Sequence, residues 1–210
     1  MRNDPWDFDD ESAVRRYRAA MSNGRGRQFE SMIEGACRGY KAHGKAKIEK
    51  MPEPFRCMKK NIKQHTATVR FTAHAEPDYI GCLIGGKSIV FEAKYTDTSR
   101  MHQDAVTKAQ AASLDKYMAL GAQTNVCIGI QDEYFMIPWR VFSNMKKLYG
   151  RKYVTAADVM AYRVKFDGTV RFLEYAYPSA AHTDYMEQMK GKKYIRTNIE
   201  NACFYIRTNI

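Results

Sequence analysis

The chain has 210 residues, 45% of them hydrophobic and 27% charged, and a net charge of +11. That length supports one core, and no apolar run approaches the ~20 residues of a membrane span. Its five cysteines are scattered without a C-x-x-C pair, which excludes a zinc ribbon and a disulfide framework.

The start, MRNDPWDFDDES, is acidic and lacks an apolar signal core, so export is not expected and a cytoplasmic location with reduced thiols is. Charge is unevenly spread. Residues 12–70 hold 15 Lys/Arg against 4 Asp/Glu, as much net positive charge as the whole chain. Such a block repels itself as a set of solvated faces, and a polyanion relieves it, so nucleic acid is the expected partner.

In chain order, the spacing predicts a helix over 11–22, stopped at Asn23-Gly24. A second helix over 26–43 carries Phe29, Met32, Ile33, Ala36, Cys37 and Tyr40 at core spacing. A strand at 46–51 ends at Pro52 and Pro54. The basic stretch from Phe55 to His65 has poor periodicity and reads as a projecting loop or arm. Strands follow at 67–74, 79–84 and 88–95, the last two as a hairpin around Gly85-Gly86-Lys87. Residues 103–120 read as a helix ended by Gly121, and 125–130 as a fully buried strand with its partner at 133–138. A helix over 139–149, a short one capped by Thr155, a hairpin over 162–175 on an Asp-Gly turn and a helix at 183–190 complete the pattern. The order predicts an α/β fold, a mixed central β-sheet flanked by helices. Three regions are expected: an acidic segment and helix at 1–22, the main domain at 23–190 with its arm at about 55–66, and a tail at 191–210. The tail repeats YIRTNI, at 194–199 and 205–210, and is expected to be marginally ordered.

Residues 81–88, GCLIGGKS, satisfy the phosphate-loop pattern letter for letter. A phosphate loop needs a helix beginning near Lys87, so that backbone amides and the helix dipole meet the phosphates. Here SIVFEAK is β-branched, aromatic and alternating, which is strand character, so an ATPase is not expected.

The same stretch has a better use. Successive strand side chains alternate faces, so Glu92 and Lys94 point the same way. If Gly85, Gly86 and Lys87 form a three-residue loop, Ile84 faces Ser88 and Asp78 lies opposite Lys94, on the same face. Two neighbouring carboxylates raise each other's pKa, and a divalent cation removes the conflict. Oxygen donors suit Mg²⁺ or Mn²⁺, which would acidify an attacking water and neutralise a phosphate oxygen. A salt bridge between Lys94 and one acid is the plainer explanation of these three residues, and spacing alone leaves both open.

Context favours the site. Asp78, a hairpin and Glu92-Ala93-Lys94 resemble the PD-(D/E)xK nuclease superfamily, with Pro77-Asp78 as its first two letters. Within it the chain resembles RecU-type Holliday-junction resolvases over about residues 23–145. RGRQFE at 25–30, DYIG at 78–81 and FEAK at 91–94 match their motifs. The resemblance implies a restriction-endonuclease-like fold and a homodimeric, Mg²⁺-dependent endonuclease that nicks four-way DNA junctions in recombination and repair. It implies that Asp78, Glu92 and the Ala93 carbonyl hold the metal and that Lys94 serves the attacking water. Glu30 would complete the acidic cluster, and Arg25 would lie near the scissile phosphate, with Arg27 beside it. Lys59, Lys60, Lys63 and Arg70 would contact DNA phosphates from the arm, which is shorter than the family's. A glutamine faces the family's site from the next helix; Gln110 takes that role here, with Ser113 as the competing position. Another PD-(D/E)xK nuclease and a DNA-binding protein without catalysis are the alternatives.

Overall fold

A computed structural model describes residues 11–52, 55–71 and 76–176. The acidic start, the expected helix at 183–190 and the repeated tail lie outside the described residues.

Helix α1 (Glu11–Ala42) is continuous, so the expected stop at Asn23-Gly24 is corrected. A glycine inside a helix costs only about 1 kcal/mol, which a helix of 32 residues tolerates. Gly44, at φ +67°, turns the chain into β1 (Ala46–Lys50). The basic arm is not a loop. It is an antiparallel hairpin of β2 (Phe55–Asn61) and β3 (Thr66–Phe71), a two-stranded sheet apart from the main one. Its side chains are almost all exposed, so no buried face imposed a periodicity on the sequence.

Then come β4 (Tyr79–Leu83) and β5 (Ser88–Thr96), the hairpin singled out above. Strand character from Ser88 onward disposes of the phosphate loop. The expected register is corrected by two residues: Cys82, not Ile84, faces Ser88, and Ile80 faces Val90. The Leu83 N–H donates to the Lys87 carbonyl at 2.8 Å, so the loop is Ile84-Gly85-Gly86. Both glycines have positive φ, +86° and +87°, which L side chains rarely adopt. A slip of two leaves every side chain on its predicted face.

The expected helix at 103–120 is shorter. Met101–His102 (β6) pairs with Tyr153–Val154 (β9), and a 3₁₀ turn spans Gln103–Ala105. Helix α2 (Lys108–Ala119) starts only at the Thr107 capping box. Strands β7 (Gln123–Ile130) and β8 (Glu133–Pro138) follow as expected. The single helix expected at 139–149 is two, α3 (Trp139–Phe142) and α4 (Met145–Tyr149). Thr155 precedes a 3₁₀ helix, Ala157–Tyr162, and its hydroxyl bonds Asp158 instead of a helix N–H. Strands β10 (Val164–Phe166) and β11 (Val170–Tyr175) make the predicted hairpin.

The main sheet runs β1-β4-β5-β7-β8, antiparallel except for the parallel β5/β7 pair at its centre. Alternation along β5 divides the core. Ile89 and Phe91 pack with Phe29, Ile33 and Tyr40 of α1 on one face. Val90 packs with Val106 and Leu114 on the α2 face.

Candidate active site

Glu92 and Lys94 share the parity of Val90, so they lie on the α2 face. The register puts Tyr79 opposite Phe91, so Asp78, one residue earlier, points to the face of Glu92 and Lys94. Lys94 Nζ lies 3.0 Å from Glu92 Oε2 and 3.5 Å from Asp78 Oδ2. The backbone N–H of Ala93 donates to Asp78 Oδ2 at 2.9 Å. Gln110 Nε2, from the first turn of α2, donates to Glu92 Oε2 at 2.5 Å. Among the described residues, the competing position, Ser113, makes no hydrogen bond to Glu92.

Glu92 is fully buried, and its Oε1 has no hydrogen-bond partner among the described residues. Burial pushes its carboxyl up to about 7; Asp78 adds to the rise and Lys94 opposes it. A buried carboxylate oxygen left bare costs about 1–3 kcal/mol or more unless something compensates it. A hard cation fits this oxygen donor set: Asp78, Glu92 and the adjoining Ala93 carbonyl.

Glu30 does not join them. Its Oε2 accepts from Lys50 Nζ at 2.9 Å, and Glu34 lies 3.8 Å from the same ammonium. Lys50 pairs with Tyr79 in the β1/β4 ladder and so faces α1, on the opposite side of the sheet from Asp78. Among the described residues no three His, Cys, Asp or Glu side chains converge as a metal site. Lys50 is the site-edge residue that sequence reasoning missed. Burial lowers its ammonium pKa, but Glu30, Glu34 and Asp78 outweigh that, so the net direction is upward. Its signal was the alternation of β1, with Ala46 and Ile48 buried and Lys50 next on that face.

Arg25 and Arg27 are exposed on α1, fourteen and sixteen residues after its start, so the helix-start position expected for them is corrected. Arg25 lines a cleft with Gln28 at the end of β5. Lys59, Lys60 and Arg70 project from the arm strands and Lys63 from its turn, all exposed.

A mixed sheet flanked by helices, with an acid, a hairpin and Glu-x-Lys at its core, defines a restriction-endonuclease-like nuclease domain. The family model described as recombination protein U matches residues 24–178, and the chain belongs to that family. It is a Holliday-junction resolvase, of a family whose catalysis depends on divalent metal. The match reaches well past residue 145, where the motif resemblance ended. No curated protein matches significantly. Among solved structures, the chain is similar to Hjc of Archaeoglobus fulgidus, a Holliday junction resolvase from an archaeal hyperthermophile, with 9% identity and a TM-score of 0.40. That likeness covers 62% of this chain and 91% of Hjc, and the assignment rests on the family match instead. No helix of the described residues is long and apolar enough to cross a membrane.

Proposed function

We propose that the chain acts as a homodimer in the cytoplasm and uses Mg²⁺, or Mn²⁺, held by Asp78, Glu92 and the Ala93 carbonyl. The observation that carries this reading is the buried Glu92 carboxylate: one oxygen bare, the other bonded by Lys94 and Gln110. The cation, when bound, supplies positive charge for a phosphate oxygen and acidifies the attacking water.

The chain's own groups do the rest. Lys94, beside both carboxylates, orients the water and stabilises charge building on phosphorus. Gln110 fixes the Glu92 carboxylate by donating to its Oε2, which leaves Oε1 for the cation. Arg25 and Arg27 on α1 hold the strand to be cut, and Lys59, Lys60, Lys63 and Arg70 bind junction arms. Glu30 holds Lys50 at the edge of the site, where its charge balances Asp78.

The test is cleavage of a synthetic four-way junction beside linear duplex of the same sequence, with Mg²⁺, Mn²⁺ or neither. Metal-dependent, paired nicks in the junction support the reading. Equal cutting of the linear duplex makes the chain a general nuclease. Salt-sensitive binding without cutting under either metal makes it a binding protein.

A further inference from the structure

On the α1 face, at the end where β5 and β7 finish, a cleft of about 420 Å³ opens between α1 and the β7–β8 turn. Small-molecule sites run from about 300 to 1,000 Å³. Arg25 and Gln28 line it from α1, Tyr95 and Asp97 from the end of β5, and Gln131 and Asp132 from the turn. Tyr95 follows Lys94, and Asp97 lies three residues beyond it, about 10 Å of extended chain. Lys94 faces α2 and Tyr95 faces α1, so a DNA strand lying over the site reaches the cleft by rounding the end of β5, a path of about two or three nucleotides.

The walls are built for planar, polar cargo. Gly129 makes room for one of them: a Cβ there would lie 2.6 Å from Tyr95 Cδ2, so its absence lets the ring lie against β7. Gln131 sits at φ +54°, a conformation that glycine adopts without strain and that hairpin turns of this length usually give to glycine. A side chain kept in such a place suggests a use for it. Its N–H donates to the Thr96 carbonyl at 2.8 Å, which pins the turn to the end of β5.

The chemistry selects among DNA parts. Asp97 and Asp132 repel a phosphate but accept from the amino groups of cytosine, adenine and guanine. The glutamine amides offer both donors and acceptors to a base edge, and Tyr95 offers a ring. Arg25, also lining the cleft, can hold the flanking phosphate.

We propose that this cleft receives one nucleobase unstacked from the bound strand within about three nucleotides of the scissile phosphate, and favours bases that carry an exocyclic amino group. The inference rests on the DNA-cleaving reading above, and its test separates the two.

The full-length protein is bound to junctions carrying 2-aminopurine at each position within five nucleotides of the crossover, in Ca²⁺ so that strands stay intact. Unstacking brightens this base. Brightening at one position with wild type, lost in Gln131→Gly and in Asp132→Asn at saturating protein, supports the proposal. A junction fully bound with no position brightened overturns it, as does brightening that survives both substitutions. In Mg²⁺, cut frequencies over a junction library are expected to disfavour thymine at that position by roughly tenfold. Equal use of all four bases there also overturns the proposal. If wild type binds but cuts no junction, the catalytic reading fails while the fluorescence still decides the cleft.

Discussion

Gln110 Nε2 lies 2.5 Å from Glu92 Oε2, while Oε1 of the same amide accepts from the Thr107 N–H and hydroxyl at 3.1 Å each. One side chain therefore closes the N-terminus of α2 and fixes a buried carboxylate of the candidate site. Gln110→Ala removes both functions. It is expected to destabilise the protein by about 1 kcal/mol, the usual worth of a cap, and to slow junction cleavage. Gln110→Glu separates them, because glutamate also serves at this position of a capping box. It should cut more slowly than Gln110→Ala and recover the melting temperature only at acid pH, since it sets a second carboxylate against Glu92. Thermal melts and single-turnover cleavage of both variants check this.

The buried Glu92 gives the metal-free protein a pH dependence with a definite sign. Its carboxyl holds a proton up to about 7 in the fold, against an ordinary value of 4.5. A raised pKa in the native state contributes stability that is fully present below 4.5 and is lost as pH rises through 7. In EDTA, wild type is expected to lose about 3 kcal/mol of stability relative to Glu92→Gln between pH 4.5 and pH 8. Urea denaturation at the two pH values measures it. Mg²⁺ competes with the same proton, so its affinity should rise across this window, which titration calorimetry follows.

Gly81 is fixed by packing. A Cβ there would collide with the Lys47 carbonyl oxygen and lie 2.6 Å from Ile48 Cα, both backbone atoms of β1. Gly81→Ala must push β1 away from β4 and is expected to cost about 2 kcal/mol or more. Gly24 is the contrast: among the described residues nothing lies within 4 Å of a Cβ there, in the middle of α1. Gly24→Ala should stabilise by about 0.5–1 kcal/mol through helix propensity alone. Chemical denaturation of the two variants gives opposite signs.

The hairpin was legible because side-chain alternation survives a register error of two. The parity that joins Asp78 to Glu92 and Lys94 was readable even though the loop was placed one residue late. Gln110 was named from the family resemblance alone: the helix was expected to start at residue 103, so the capped first turn that presents Gln110 to Glu92 was not read. The placement of Glu30 was not legible: its motif places it on α1, but which sheet face α1 covers depends on packing with β1, which no local pattern encodes. The arm hid its strands because neither of its faces is buried. The long α1 hid its continuity behind Asn23 and Gly24, whose small penalties cannot stop so long a helix.

The arm makes a quantitative expectation. Lys59, Lys60 and Lys63 are exposed near the tip of the β2–β3 hairpin. Each that contacts a phosphate releases counterions, worth about 0.9 in the slope of log affinity against log salt. Alanine at all three should flatten the slope for junction binding by about 2–3 and leave the fold intact, since none packs on the core. Binding isotherms at several salt concentrations test it.

Asp78 and Glu92 are predicted to act together in a metal-dependent cut. The most direct measurement is nicking of a labelled four-way junction by wild type and by Asp78→Asn, each with and without Mg²⁺ and at equal junction occupancy. Symmetric nicks from wild type in Mg²⁺ alone, and a loss of at least roughly 100-fold in Asp78→Asn with binding retained, are predicted. Undiminished nicking by Asp78→Asn, or nicking by wild type in EDTA, contradicts it.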